Sequence, residues 1–216
     1  MTMLPRYLDR LDPERQEVFK KLKAFSDEFI LAGGTAIMLQ IGHRQSYDFD
    51  CFTEKDLSKN LLKKIIKIFG STFSIELQTS EMITIQTKSK VDISFVWHPY
   101  QPLKKPVKTD SLSLFHLDDL VTNKALTIGR RGAWRDYVDL FFFLKWKLYN
   151  IKKIIQLSDQ RFRPEFNDKL FLQQLVYFDD LKLVPTNFIK ESYSHIKIKS
   201  FLEKQVRDYL KKRLKI

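Results

Sequence analysis

The segment Phe29–Phe52 reads FILAGGTAIMLQIGHRQSYDFDCF, and its patterning leaves little freedom of fold. A short apolar run, Phe29-Ile30-Leu31-Ala32, ends on Gly33-Gly34, which reads as a buried strand entering a tight turn. Thr35 to Ile41 returns to an apolar helical pattern. Tyr47-Asp48-Phe49-Asp50-Cys51-Phe52 then alternates with period two, the mark of a strand whose two faces differ. So close a succession of strand, glycine turn, helix and acid-bearing strand demands a mixed α/β arrangement with polar chemistry at strand level.

The flanking sequence extends this pattern. Asp12-Pro13-Glu14 predicts a helix start, with Asp12 as cap, and Val18, Phe19, Leu22 and Phe25 follow at helical spacing. A second helix is predicted through Leu61, Leu62, Ile65, Ile66 and Phe69, closed by Gly70. Three β-rich runs follow, Phe73–Leu77, Met82–Thr87 and Val91–Val96. Tyr100–Asp110, with Pro102 and Pro106 among lysines, suits a linker, and helical patterns dominate from Phe115. The expectation is an α+β protein, with a mixed α/β core over residues 1–105 and a helical domain over 106–216.

Composition narrows the function. With 216 residues, 44% hydrophobic and 13% aromatic, the chain can fill a core and is not wholly disordered. Its net charge of +12 and pI near 9.6 favour a polyanionic partner. Half of that surplus lies in Lys197–Ile216, where eight bases face only Glu203 and Asp208. Such a terminus fits an RNA backbone, or is a solvated amphipathic helix with Phe201, Val206, Tyr209 and Leu210 turned inward. The single cysteine, Cys51, excludes an intramolecular disulfide and a cysteine-rich zinc site, and suggests a reducing compartment. There is no apolar leader at the N-terminus and no apolar run approaching the ~20 residues that span a bilayer. A cytoplasmic protein without a membrane anchor is expected.

Three carboxylates concentrate the chemistry. Asp48 and Asp50, two apart on a strand, leave the same face. Asp92 stands in another β-rich run, between Val91 and Ile93, and strand pairing would bring it to the other two. Two like charges ~4 Å apart repel by roughly 4 kcal/mol at an effective dielectric of ~20, so protons or divalent cations must relieve the cluster. Gly33-Gly34-Thr35, at a strand-to-helix junction, offers backbone N–H groups and a helix N-terminus to an anion, with the Thr35 hydroxyl as a further donor. A phosphate cradle beside a Mg²⁺-binding acid cluster is what a nucleoside triphosphate requires. Competing motifs fail: a dinucleotide fingerprint lacks its third glycine, a phosphate-binding loop lacks Gly-Lys-Ser/Thr, and Phe52 breaks the Asp-x-Asp-x-Thr/Val phosphatase pattern.

Taken together, Gly33-Gly34-Thr35, His43-Arg44-Gln45-Ser46 and Asp48-x-Asp50 resemble the nucleotidyltransferase signature of the polymerase-β-like superfamily. The closer resemblance is to the AbiEii/AbiGii toxin family, with its GGT-A-L followed by R-x-S-x-D-x-D. Lys124-Ala125-Leu126, Arg131 and Arg135-Asp136-Tyr137-Val138-Asp139-Leu140 are similar to that family's K-x-x-A-L…R…R-D-x-x-D-L segment. The likeness covers roughly residues 30–145; the twelve residues between Thr35 and Asp48 slightly exceed the broad superfamily spacing.

The resemblance implies a twisted mixed sheet flanked by helices, followed by a C-terminal helical bundle. It also implies Mg²⁺-dependent transfer of a nucleotidyl group from a nucleoside triphosphate, with release of pyrophosphate. By that likeness Asp48, Asp50 and Asp92 would be metal ligands, Asp92 also the candidate base. Gly33, Gly34 and Thr35, with Arg44 and Ser46 beside them, would hold the triphosphate, Ser46 also supporting the acid strand. Lys124 would contact the triphosphate, with Asp136 or Asp139 orienting it or Arg131. The implied acceptor is RNA, with tRNA favoured, and the implied partner is an antitoxin protein. The alternatives are AMP transfer to a protein hydroxyl and an inactive relative that only binds nucleotide or RNA.

Overall fold

The structure, a computed structural model, describes residues 7–214. Lys215 of the basic terminus, and the first six residues of the N-terminal stretch, lie outside that range. The chain divides into two compact units, at Leu117/Asp118.

The first unit is built on a mixed sheet. Its described elements are α1 (Pro13–Leu22), β1 (Ile30–Ala32), α2 (Gly33–Ile41), β2 (Phe49–Thr53), α3 (Leu61–Phe69), β3 (Ser74–Gln78), β4 (Met82–Gln86) and β5 (Asp92–Trp97), with a short 3₁₀ turn over Lys23–Phe25 after α1. Asp12 caps α1 as expected, accepting from the Arg15 N–H at 2.9 Å. Gly70 ends α3 at φ +81°. The strand order is β1-β2-β5-β4-β3, with β2 and β5 parallel and the other pairs antiparallel.

Register separates the two faces of the sheet. Phe49 pairs with Ile93 and Cys51 with Phe95, while Ile83 and Ile85 of β4 stand opposite Phe95 and Ile93. These residues form one buried face. Phe19 of α1 stacks on Phe49 at 6.1 Å, and Phe25 meets Phe95 at 4.9 Å and Phe69 of α3 at 6.4 Å. The other face, with Asp50, Phe52, Asp92, Ser94, Val96, Met82, Thr84 and Gln86, stays half-buried. Period-two patterning in β2, β4 and β5 is therefore the local cause of a one-sided sheet.

The boundary differs from the expected one at 105. Leu31 N–H donates to the Ser113 carbonyl and Phe115 N–H to the Leu31 carbonyl, so residues 113–115 run along the outer edge of β1. Val107 pairs with Leu114 in turn. The stretch read as linker is thus tied through Val107 to the segment that satisfies backbone groups of β1, and it belongs to the sheet's unit.

The second unit is helical, with α4 (Leu117–Ile128), α5 (Trp134–Lys145), α6 (Ile151–Phe162), α7 (Asp168–Gln174) and α8 (His195–Leu214). Phe141–Leu144 of α5 are all buried, as are Tyr137 to Leu140, so this helix is enclosed on every side. α8 packs against α5 and α6 through Ile198, Leu202 and Val206, with Phe201 edge-on to Phe141 at 5.1 Å. Leu210, expected to turn inward, is 37% exposed. No helix among the described residues is long and apolar enough to cross a membrane.

Candidate functional site

Gly33 opens α2 with φ +67°, a left-handed conformation that glycine adopts without strain. A second constraint is spatial. A Cβ on Gly33 would fall 1.8 Å from Asp50 Oδ2, so the carboxylate packs directly on the glycine backbone. A Cβ on Gly34 would fall 2.7 Å from Arg44 Nη2 and 2.7 Å from Ser46 Oγ. The turn therefore brings together Gly33, Gly34, Asp50, Arg44 and Ser46, all named from the sequence. Ala32, the residue before the helix, provides no side-chain cap for its first amides. Arg44 is 2% exposed and its Nη1 donates to the Gln45 carbonyl at 3.0 Å, which fixes a cation beside that helix start.

Thr35 departs from its expected use. Its hydroxyl, 1% exposed, donates to the Asp48 carbonyl at 2.5 Å. It ties the first turn of α2 to the acid strand rather than presenting its proton to a phosphate. Ser46 N–H points to Met38 Sδ at 3.3 Å, a second tie between the segment before β2 and α2.

Asp50 and Asp92 share a face. Asp50 stands level with Ser94 in the parallel pair, and Asp92 lies two residues before Ser94 on the same side. Asp48 lies just before β2, outside the strand. Asp92 accepts from Gln86 Nε2 at 2.9 Å, and Gln86 Oε1 accepts from Lys90 Nζ at 3.0 Å. Among the described residues no three His, Cys, Asp or Glu side chains stand close enough together to hold a metal ion. Mg²⁺ is usually bound by one or two carboxylates together with substrate phosphates and water, so the hard oxygen donors here fit it in kind. Cys51 faces the covered side, where burial, and then the charge of Asp50, push its thiol well above the usual range.

In the helical unit, Lys124 Nζ lies 2.6 Å from Asp136 Oδ1 and 2.8 Å from Asp139 Oδ2. The sequence left open which aspartate meets the lysine; both do. All three side chains are nearly or wholly buried, and the ammonium relieves the repulsion of two acids on one helix face. A neighbouring pair went unread in the sequence. Arg161 of α6 reaches Asp119 of α4 at 3.3 Å, and its Nη1 also donates to the Asp119 carbonyl, Thr122 Oγ1 and Asn123 Oδ1. Burial lowers the Arg161 pKa to about 10 against the opposing effect of Asp119. No spacing pattern announces a contact across 42 residues.

Known proteins show the same architecture and a shared lineage. The family model for the nucleotidyl transferase AbiEii toxin of type IV toxin–antitoxin systems matches residues 19–212. An uncharacterized protein of Aquifex aeolicus is 29% identical over 213 residues, covering 93% of this chain and 98% of its own. Among solved structures, JHP933 from Helicobacter pylori superposes with a TM-score of 0.50 at 15% identity, covering 98% of this chain and 100% of its own. MenT4, a nucleotidyltransferase toxin of Mycobacterium tuberculosis H37Rv, superposes with a TM-score of 0.52 at 13% identity, covering 93% and 82%. These likenesses establish the fold, and the family match establishes the kinship: the chain is a nucleotidyltransferase that belongs to the AbiEii toxin family of type IV toxin–antitoxin systems.

Proposed function

We propose that this nucleotidyltransferase moves a nucleoside monophosphate from a nucleoside triphosphate onto a hydroxyl of RNA, with tRNA as the acceptor, in a Mg²⁺-dependent reaction restrained by an antitoxin. The observation that carries the reading is the Gly33–Gly34 turn, where an uncapped helix start, the Arg44 guanidinium and the Asp50 carboxylate meet within one turn of backbone. Backbone N–H groups and a fixed cation bind a triphosphate; a carboxylate beside them repels it unless a cation intervenes.

Among the described residues no three acids form a ready-made metal site, so Asp48, Asp50 and Asp92 would hold Mg²⁺ only jointly with the substrate's phosphate oxygens and water, and the ion would neutralise phosphate charge and orient the reacting oxygens. Gly33 and Gly34 let the backbone approach the phosphates, and Arg44 balances their charge. The acceptor hydroxyl oxygen bonds to the α-phosphorus, the bond from that phosphorus to pyrophosphate breaks, and the hydroxyl proton passes to the Asp92 carboxylate. Gln86, donating to Asp92, orients that base. In the helical unit, Lys124 between Asp136 and Asp139 is a fixed cation of the kind that contacts phosphate. RNA is favoured as the acceptor by the net charge of +12 and by the exposed Lys204, Arg207 and Lys211 of α8.

Incubation with each labelled triphosphate and Mg²⁺, together with total tRNA or with cell proteins, tests the reading. Label on tRNA that disappears with a chelator is the expected result. Label on protein, or transfer undiminished by the chelator, overturns it.

A further inference from the structure

Along the half-buried face of the sheet the chemistry changes within one residue pair. β2 presents Asp50 and then Phe52, and β5 presents Ser94 and then Val96. Phe52, near the end of β2, lines a pocket of about 400 Å³ with His98, Tyr100 and Phe115 from outside the strands. Its rings form a connected cluster: Phe52–His98 centroids are 4.8 Å apart, His98–Tyr100 4.9 Å and Phe52–Phe115 6.3 Å. Same-face neighbours on a strand are about 7 Å apart, so this wall begins one repeat beyond Asp50.

The geometry points to this pocket as the seat of the nucleobase of the triphosphate, an assignment that rests on the function proposed above. The polarity runs the right way for one nucleotide. Its anionic end meets the Arg44 guanidinium and the start of α2, and its neutral aromatic end meets rings. The rim beyond the rings carries Asp27, Glu28 and Glu54 against Lys55, with Glu28 paired to Lys64 at 2.5 Å. Carboxylates there repel a phosphate backbone but accept hydrogen bonds from exocyclic amines, so adenine, guanine and cytosine fit better than uracil. Phe52, His98 and Tyr100 are half-buried, which leaves part of each ring for stacking.

Two substitutions test the assignment. Phe52→Leu keeps apolar bulk and removes a ring, and Tyr100→Ala lies outside the strands. Binding of ATP, CTP, UTP and inorganic tripolyphosphate, each with Mg²⁺, is compared by calorimetry, with melting curves confirming the fold. The wild type should bind ATP and CTP more tightly than UTP or tripolyphosphate. Each variant should lose about tenfold toward ATP and CTP, the ratio that 1.4 kcal/mol of stacking gives, with tripolyphosphate unchanged. Equal wild-type affinity for CTP and tripolyphosphate overturns the base seat while leaving the phosphate site standing. Binding of neither overturns the underlying function and the seat with it. If the variants weaken only tRNA binding, the pocket takes a base of the acceptor and the assignment to the triphosphate is wrong.

Discussion

Gly33 carries two separable constraints, and a pair of substitutions distinguishes them. Gly33→Ala forces a side chain into a positive-φ position and into the Asp50 carboxylate, so it should lower the melting temperature and abolish transfer. Gly70→Ala also meets a positive φ, yet its Cβ finds nothing within 4 Å. It should cost about 1–3 kcal/mol in denaturant unfolding and leave transfer intact. Asp48→Ala and Asp92→Ala are each expected to eliminate labelled product while leaving thermal stability unchanged or raised, because like-charge repulsion goes with the acid. Retained transfer in both would remove the acids from the reaction. At this scale the sequence was informative about glycine and acid positions, since period and turn chemistry are local. It assigned the Thr35 hydroxyl to phosphate, whereas a carbonyl thirteen residues away accepts its proton.

Helices and strands were legible where one face is decisively apolar. β1, β2, β4 and β5 fall within two residues of their apolar runs, and α1 and α3 begin and end on Asp12 and Gly70. α8 was harder. Its apolar residues encircle a lysine-rich helix, so the buried stripe at Ile198, Leu202 and Val206 was chosen by α5 and α6 rather than by the helix's own pattern. That stripe makes truncation at Lys197 a poor probe of the tail, since it strips packing along with charge. Leu202→Ala alone should cost about 2–5 kcal/mol in chemical denaturation. Replacing the exposed Lys204, Arg207 and Lys211 by Gln should instead preserve stability and weaken RNA binding. The slope of log affinity against log salt should fall by about 0.7–0.9 for each phosphate that is no longer neutralised, and an unaltered slope would make the helix purely structural. Between α4 and α5 the tie is ionic. Lys124→Met leaves Asp136 and Asp139 buried without their cation and should cost about 3–5 kcal/mol, read from urea midpoints.

Over the whole chain, the two compact units divide at Leu117/Asp118 rather than at 105, because Leu114 completes a sheet edge that no local pattern in the Pro- and Lys-rich stretch reveals. Global stability should also respond to alkali. Burial, then Asp180 and Asp136, raise the Tyr137 pKa to about 12 from an ordinary value near 10. Burial and the hydrogen bond to Asp118 move Tyr149 further in the same direction. The unfolded chain therefore releases these phenolic protons first, so stability is full below pH 10 and declines as pH rises through about 12. Tyr137→Phe should flatten that decline in melting curves taken across the window. A wider consequence follows from the carboxylate that rests on Gly33. In related genomes the two positions must change hands together: a homologue with a bulkier residue at the first has to shorten or discard the acid at the second. Surveying that covariation would sort working copies from retired ones before any of them is purified.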